Sequence, residues 1–182
     1  MDLSWVTVPT PLPSGPMRFG VTARGVASAS YTGSYPGAAG PECTDPRRVE
    51  LVRARVGEYF AGVRRELELP IDWSLAGGPH LVVLRCLLAT VGWGRTVTYG
   101  ELAARSGVFT DPSEPGVPAR TVGQMMGANP LPLLVPCHRV VAADGLGGFG
   151  GAWHGVETKR WLLTLEGVLP PTLDWSGPTE AG

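Results

Sequence analysis

With 182 residues and a hydrophobic share of 43%, the chain can bury one sizeable core or two small ones, and it is too apolar to be disordered. No window approaches the roughly 20 apolar residues of a membrane helix, and the first eight residues carry Asp2 in place of a basic leader, so a cytoplasmic protein without membrane contact is expected. A formal net charge of −1 argues against binding nucleic acid by bulk electrostatics, but residues 81–140 hold five arginines against three acids while residues 141–182 are acidic. Any contact with nucleic acid belongs to that middle segment and should depend only modestly on salt.

In chain order, short β-prone runs at 5–8, 18–21 and 26–31 alternate with Pro9, Pro11, Pro13, Gly15 and Pro16, which predicts a small sheet with tight connections. Asp45 and Pro46 supply an N-cap and first turn for a helix to about Leu67, whose apolar face of Leu51, Val52, Val56, Tyr59, Phe60 and Val63 should cover the sheet. Pro70, Gly77, Gly78 and Pro79 mark a linker, which places a domain boundary at 76/77 and a second helix from about His80 to Val91. Gly92-Trp93-Gly94 ends that helix. Thr98 caps another to about Arg105, and a further helix spans about 119–128, closed by Asn129-Pro130. These two short helices in tandem resemble a helix-turn-helix, although the segment 107–118 between them is longer than a tight turn. A glycine-rich stretch from Gly145 to Gly155 precedes a last helix at about 157–165, and residues 171–182 read as a flexible tail.

Cys43, Cys86 and Cys137 are odd in number and far apart, and His80, His138 and His154 lack metal-ligand spacing, so neither a disulfide framework nor a metal site is expected. By itself Cys137 reads equally well as a buried, inert thiol. Its setting is more specific: Pro136-Cys137-His138-Arg139-Val140, with Asn129-Pro130 before it and Trp161-Leu162-Leu163-Thr164-Leu165-Glu166-Gly167 after it.

This combination closely resembles the O6-alkylguanine-DNA alkyltransferases over about 95–167. The resemblance implies an α+β chain: an RNase H-like N-terminal sheet domain packed with a helix (1–76), then a mainly helical domain with a winged helix-turn-helix-like motif (77–170). It also implies direct reversal of DNA damage, with an alkyl group passing irreversibly from guanine O6 to Cys137. A thiolate is the best soft nucleophile a protein has, and a mostly protonated thiol needs a base. The resemblance assigns that base to His138, acting through a water and oriented by Glu166, a residue that alone would read as a solvated helix end. Asn129 would order the active-site turn.

The target atom lies inside a duplex, so the nucleotide must leave the stack. By the same resemblance Arg120 enters the minor groove to replace it, with Tyr99, Ala119 and Arg139 also at the DNA. Tyr99, Met126, Val140, Phe149 and Gly150 would form the alkylguanine pocket. The implied partner is double-stranded DNA bearing O6-alkylguanine, with O4-alkylthymine a second candidate, bound by a monomer with no cofactor. The chain departs from the family pattern in the longer loop 151–156, in the extended helix-turn-helix connection, and in Gly78-Pro79-His80 at the start of the second helix. Two other readings remain. A non-repairing alkyltransferase-like lesion binder would carry tryptophan at position 137, and a turning-over cysteine hydrolase would draw its cysteine and histidine from separate segments.

Overall fold

The computed structural model describes residues 2–31, 40–111, 116–148 and 155–171. It is a mixed α/β structure with a small antiparallel sheet and several helices, divided into two compact units: Met1–Leu75 with Pro130–Leu134, and Ala76–Asn129 with Val135–Pro170.

In the first unit, β1 (Ser4–Val8), β2 (Met17–Thr22) and β3 (Gly25–Ser30) form an antiparallel meander, with Val6 opposite Phe19 and Phe19 opposite Ala29. Gly25 has φ +141°, and a Cβ there would lie 2.2 Å from Pro70 O, so only glycine lets the segment around Pro70 come this close. That approach is held by Val26 N–H donating to Pro70 O and Asp72 N–H donating to Val26 O, both at 2.8 Å. Helix α1 (Pro46–Phe60) starts at Asp45, whose carboxylate accepts from Arg47 N–H (3.0 Å) and Arg48 N–H (3.4 Å). It packs on β1 and buries Val52, Val56, Tyr59 and Phe60.

The helix ends at Phe60, seven residues before the expected Leu67, because Gly62 takes φ +71° and its N–H donates to Tyr59 O (3.0 Å). Val63, expected on the buried face, therefore lies beyond the helix at 71% exposure, and Leu51 is also exposed. Residues 130–134, expected in the second domain, belong to the first unit, where Ala29 N–H donates to Pro130 O (2.8 Å) and Leu131, Leu133 and Leu134 are buried.

The second unit begins with α2 (Gly78–Thr90), followed by β4 (Val97–Thr98), α3 (Tyr99–Ser106), α4 (Val117–Gly127), a 3₁₀ turn at Cys137–Arg139, β5 (Val140–Val141) and α5 (Gly155–Leu165). A capping box delimits α3: Glu101 N–H donates to Thr98 Oγ1 (3.2 Å), and Thr98 N–H donates to Glu101 Oε2 (2.8 Å). Gly107 closes it in the left-handed conformation, and α3 packs against both α2 and α4. Helix α4 starts two residues earlier than expected, since Gly116 at φ 93° and Pro118 in the first turn favour that start. The parallel β4–β5 pair, Val97 opposite Val140 and Thr98 opposite Val141, was not anticipated from sequence. It ties the turn after Cys137 to the strand leading into α3. No helix among the described residues is long and apolar enough to cross a membrane.

Candidate active site

The site residues that fall within the described segments all lie in the second unit. Cys137 opens the 3₁₀ turn, with its own N–H donating to Val135 O (2.7 Å) and Arg139 N–H donating to Pro136 O (2.9 Å). Asn129 donates through Nδ2 to Val135 O (3.0 Å), and its side chain also reaches the Cys137 sulfur, so one amide orders both the turn and the thiol. Cys137 is 4% exposed. Burial pushes its thiol up from the ordinary value, while the Asn129 hydrogen bond and the Lys159 charge act the other way. The resting group is therefore a thiol that needs a base.

His138 is fully buried and hydrogen-bonded through Nε2 to Glu166 Oε1 at 2.8 Å. Burial lowers its proton affinity against the pull of Glu166, so the ring is neutral near neutral pH. Donation from Nε2 to the carboxylate leaves Nδ1 as the basic nitrogen, and Nδ1 has no hydrogen-bond partner among the described residues.

Glu166 directly follows α5, where Gly167 at φ +76° reverses the chain and Val168 N–H donates to Leu163 O (2.8 Å). The turn directs the carboxylate inward, and the residue is 4% exposed, not the solvated helix end that its sequence position alone suggests. An acid at a helix C-terminus is disfavoured by the helix dipole, and here two basic partners offset that. Burial raises the Glu166 carboxyl, but His138 and Arg139 outweigh it and hold the group down to about 2. Gly94, with φ +73°, brings its N–H to 3.4 Å from Glu166 Oε2, and a Cβ there would stand 3.2 Å from Glu166 O.

Arg139 corrects the sequence reading. Expected at the DNA, it is 4% exposed. Its Nε donates to both Glu166 oxygens (3.2 and 2.9 Å), Nη2 donates to Oε1 (2.9 Å), and Nη1 donates to Val91 O (2.8 Å). A guanidinium so engaged has no reach to a phosphate.

Lys159 is a buried charged side chain beside the candidate site that sequence reasoning missed. It is wholly buried on α5, donates from Nζ to Val140 O (2.6 Å) and Gly148 O (3.4 Å), and lies 5.7 Å from the Tyr99 ring centroid. Burial lowers its ammonium to about 8, partly offset by the Cys137 sulfur. A signal was present: Lys159, Leu162, Leu163 and Glu166 fall at helical spacing on one buried stripe, which marks both charged residues as inward-facing.

Tyr99, at the start of α3, donates its hydroxyl to Gly148 O (3.0 Å). Burial, then the Cys137 sulfur, raises its phenol. A Cβ on Gly147 would sit 3.0 Å from the Tyr99 ring, and one on Gly123 of α4 would sit 3.9 Å away, so small residues flank the ring on two sides. Met126 and Val140 are buried, Val140 contributing its carbonyl to Lys159. Ala119 is half-buried on α4, and Arg120 beside it is exposed. Phe149 and Gly150, the insertion around Trp153 and His154, and the tail from residue 172 lie outside the described residues. Among the described residues no cluster of three His, Cys, Asp or Glu side chains could hold a metal ion.

Comparison with known proteins identifies similar chains. Residues 82–168 match the DNA-binding domain of 6-O-methylguanine DNA methyltransferase. A methylated-DNA--protein-cysteine methyltransferase of Methanopyrus kandleri is 38% identical over 138 residues, spanning 75% of this chain and 95% of the relative. A DNA base-flipping protein of Thermus thermophilus is 40% identical over 164 residues, 89% of this chain and 99% of that protein. Among solved structures, Mycobacterium tuberculosis OGT in complex with DNA superposes with a TM-score of 0.72 at 30% identity, covering 90% of this chain and 92% of that one. With its cysteine, histidine and glutamate gathered in one unit and a relative matched over nearly its whole length, this chain belongs to the methylated-DNA–protein-cysteine methyltransferase family.

Proposed function

We propose that the protein repairs alkylated DNA by direct reversal, moving one alkyl group from guanine O6 to the Cys137 sulfur. The observation that carries this reading is the buried His138–Glu166 hydrogen bond at 2.8 Å, which leaves the Nδ1 nitrogen of the residue next to Cys137 able to accept a proton. His138 Nδ1 takes the Cys137 proton through a water, the sulfur forms a bond to the alkyl carbon, and the carbon–O6 bond breaks with its electron pair going to the guanine, which then takes up a proton. The thioether left on Cys137 has no leaving group that water can displace readily, so each molecule acts once.

In this reading α3 and α4 form a winged helix-turn-helix, Arg120 occupies the gap of the extruded nucleotide, and Tyr99 borders the flipped base. Both binding and transfer are assigned to residues 77–170, with the N-terminal RNase H-like unit as scaffold. The substrate is duplex DNA bearing O6-alkylguanine, O4-alkylthymine being a second candidate, and the protein works as a cytoplasmic monomer without a cofactor. A protein named for base flipping is also similar to this chain, and the reading as a repair protein rests on Cys137 serving as the nucleophile.

The test is an intact-mass measurement after mixing with a duplex carrying one O6-methylguanine. A gain of a single methyl at Cys137, at one equivalent and with none in Cys137→Ser, is expected. Lesion binding without a mass change would leave a base-flipping binder, and a modification that turns over would indicate a hydrolase.

A further inference from the structure

Glu166 receives more than the orientation of one histidine requires. His138 Nε2 lies 2.8 Å from its Oε1, and three further contacts come from Arg139, the next residue along the same 3₁₀ turn. The fourth Arg139 bond, to Val91 O at 2.8 Å, fixes the guanidinium from its other end. Both side chains are buried, at 5% and 0% exposure.

A buried carboxylate beside an imidazole, with no other cation near, draws a proton onto the ring. A histidine already charged cannot accept the proton of Cys137. Arginine keeps its charge at any accessible pH and matches a carboxylate with two parallel bonds. Its presence makes Glu166 and Arg139 together a neutral acceptor, which can still take the Nε2–H bond.

We propose that Arg139 is a positioning residue for proton transfer: it fixes Glu166 and cancels its charge, so that His138 waits as the neutral Nε2–H tautomer with Nδ1 able to accept. The charged groups acting on His138 are Glu166, Arg139 of its own turn and Lys159 of α5, and both cations oppose protonation of the ring. This role rests on the repair reading above, whereas the state of the ring does not.

Two measurements test it. In ¹⁵N-labelled protein without DNA, His138 should be the neutral Nε2–H tautomer at pH 7, and an imidazolium or an Nδ1–H tautomer there overturns the proposal. In Arg139→Met the ring should titrate at higher pH than in the wild type. The acid limb of transfer, measured on a duplex with one O6-methylguanine, should move with it: about tenfold slower at pH 6 but within about threefold at pH 8.5. Arg139→Lys, which keeps the charge and loses the fork, should return the limb to its wild-type position. Slowing by one factor at every pH, with the titration of His138 unchanged, would reduce Arg139 to packing and overturn the proposal. If Arg139→Met does not fold, the titration in Arg139→Lys decides, since a ring that charges at higher pH there also overturns it. Failure of the wild type to transfer any alkyl group would remove the repair reading and leave the tautomer result standing.

Discussion

Replacing Glu166 by Gln keeps the volume and removes the anion, which leaves the Arg139 guanidinium buried with Val91 O as its remaining strong acceptor. Two routes to the size of the effect agree. Breaking a buried ion pair by deleting one partner costs about 3–5 kcal/mol, because the other charge is left uncompensated. The Glu166 carboxyl is held at about 2 instead of 4.5, and at roughly 1.4 kcal/mol for each pH unit that gap corresponds to about 3 kcal/mol near neutral pH. The assay is urea unfolding followed by tryptophan fluorescence, with Trp93 and Trp161 reporting from the second unit. Glu166→Gln should lose about 3 kcal/mol. Adding Arg139→Met should restore part of that, as removing both members of a buried pair leaves no orphaned charge. Additive losses in the double variant, or a loss below about 1 kcal/mol in Glu166→Gln, would refute the claim that the two charges support each other.

In transfer, His138→Ala and Glu166→Gln should each slow the reaction roughly 10²-fold, and the double change should cost little more than the worse single one; strictly additive losses would uncouple them. For acid stability the sign follows from the depressed Glu166 carboxyl: its contribution is fully present above about 4.5 and lost as pH falls through about 2, so wild-type stability should drop between pH 5 and 2 with a steeper slope than in Glu166→Gln. Lys159→Met removes the buried cation near Cys137 and Tyr99 and should slow transfer about tenfold with DNA affinity unchanged, whereas an unchanged rate would confine Lys159 to packing. Arg120→Ala should impair repair of paired duplex far more than repair of a single strand, which leaves no gap to fill, and equal losses on both would take Arg120 out of that role.

What the residues specify locally could be read directly from their order. Asp45 with Pro46, and Thr98, set helix starts through hydrogen bonds within a few residues, so those starts were legible before any tertiary contact was known. Cys137, His138, Asn129 and Glu166 were named together because the motifs around them resemble one family, and the structure brings the Asn129 and Glu166 side chains to the turn that carries Cys137 and His138. The left-handed Gly62 that stops α1 was also in plain view, yet an apolar spacing that continues through Val63 hid it. For the charged groups, helical spacing puts Lys159 and Glu166 on one buried stripe, but only tertiary structure supplies their partners. Arg139, expected at the DNA, and Glu166, which alone reads as a solvated helix end, were placed facing outward because burying an unpaired charge is prohibitive. What makes burial tolerable lies far along the chain: Arg139 meets Glu166 27 residues later and Val91 48 residues earlier, and Lys159 reaches back 19 residues to Val140 O. The parallel pairing of Val97 with Val140 is of the same kind, since two-residue strands carry no periodicity of their own and form only where the rest of the unit brings them together.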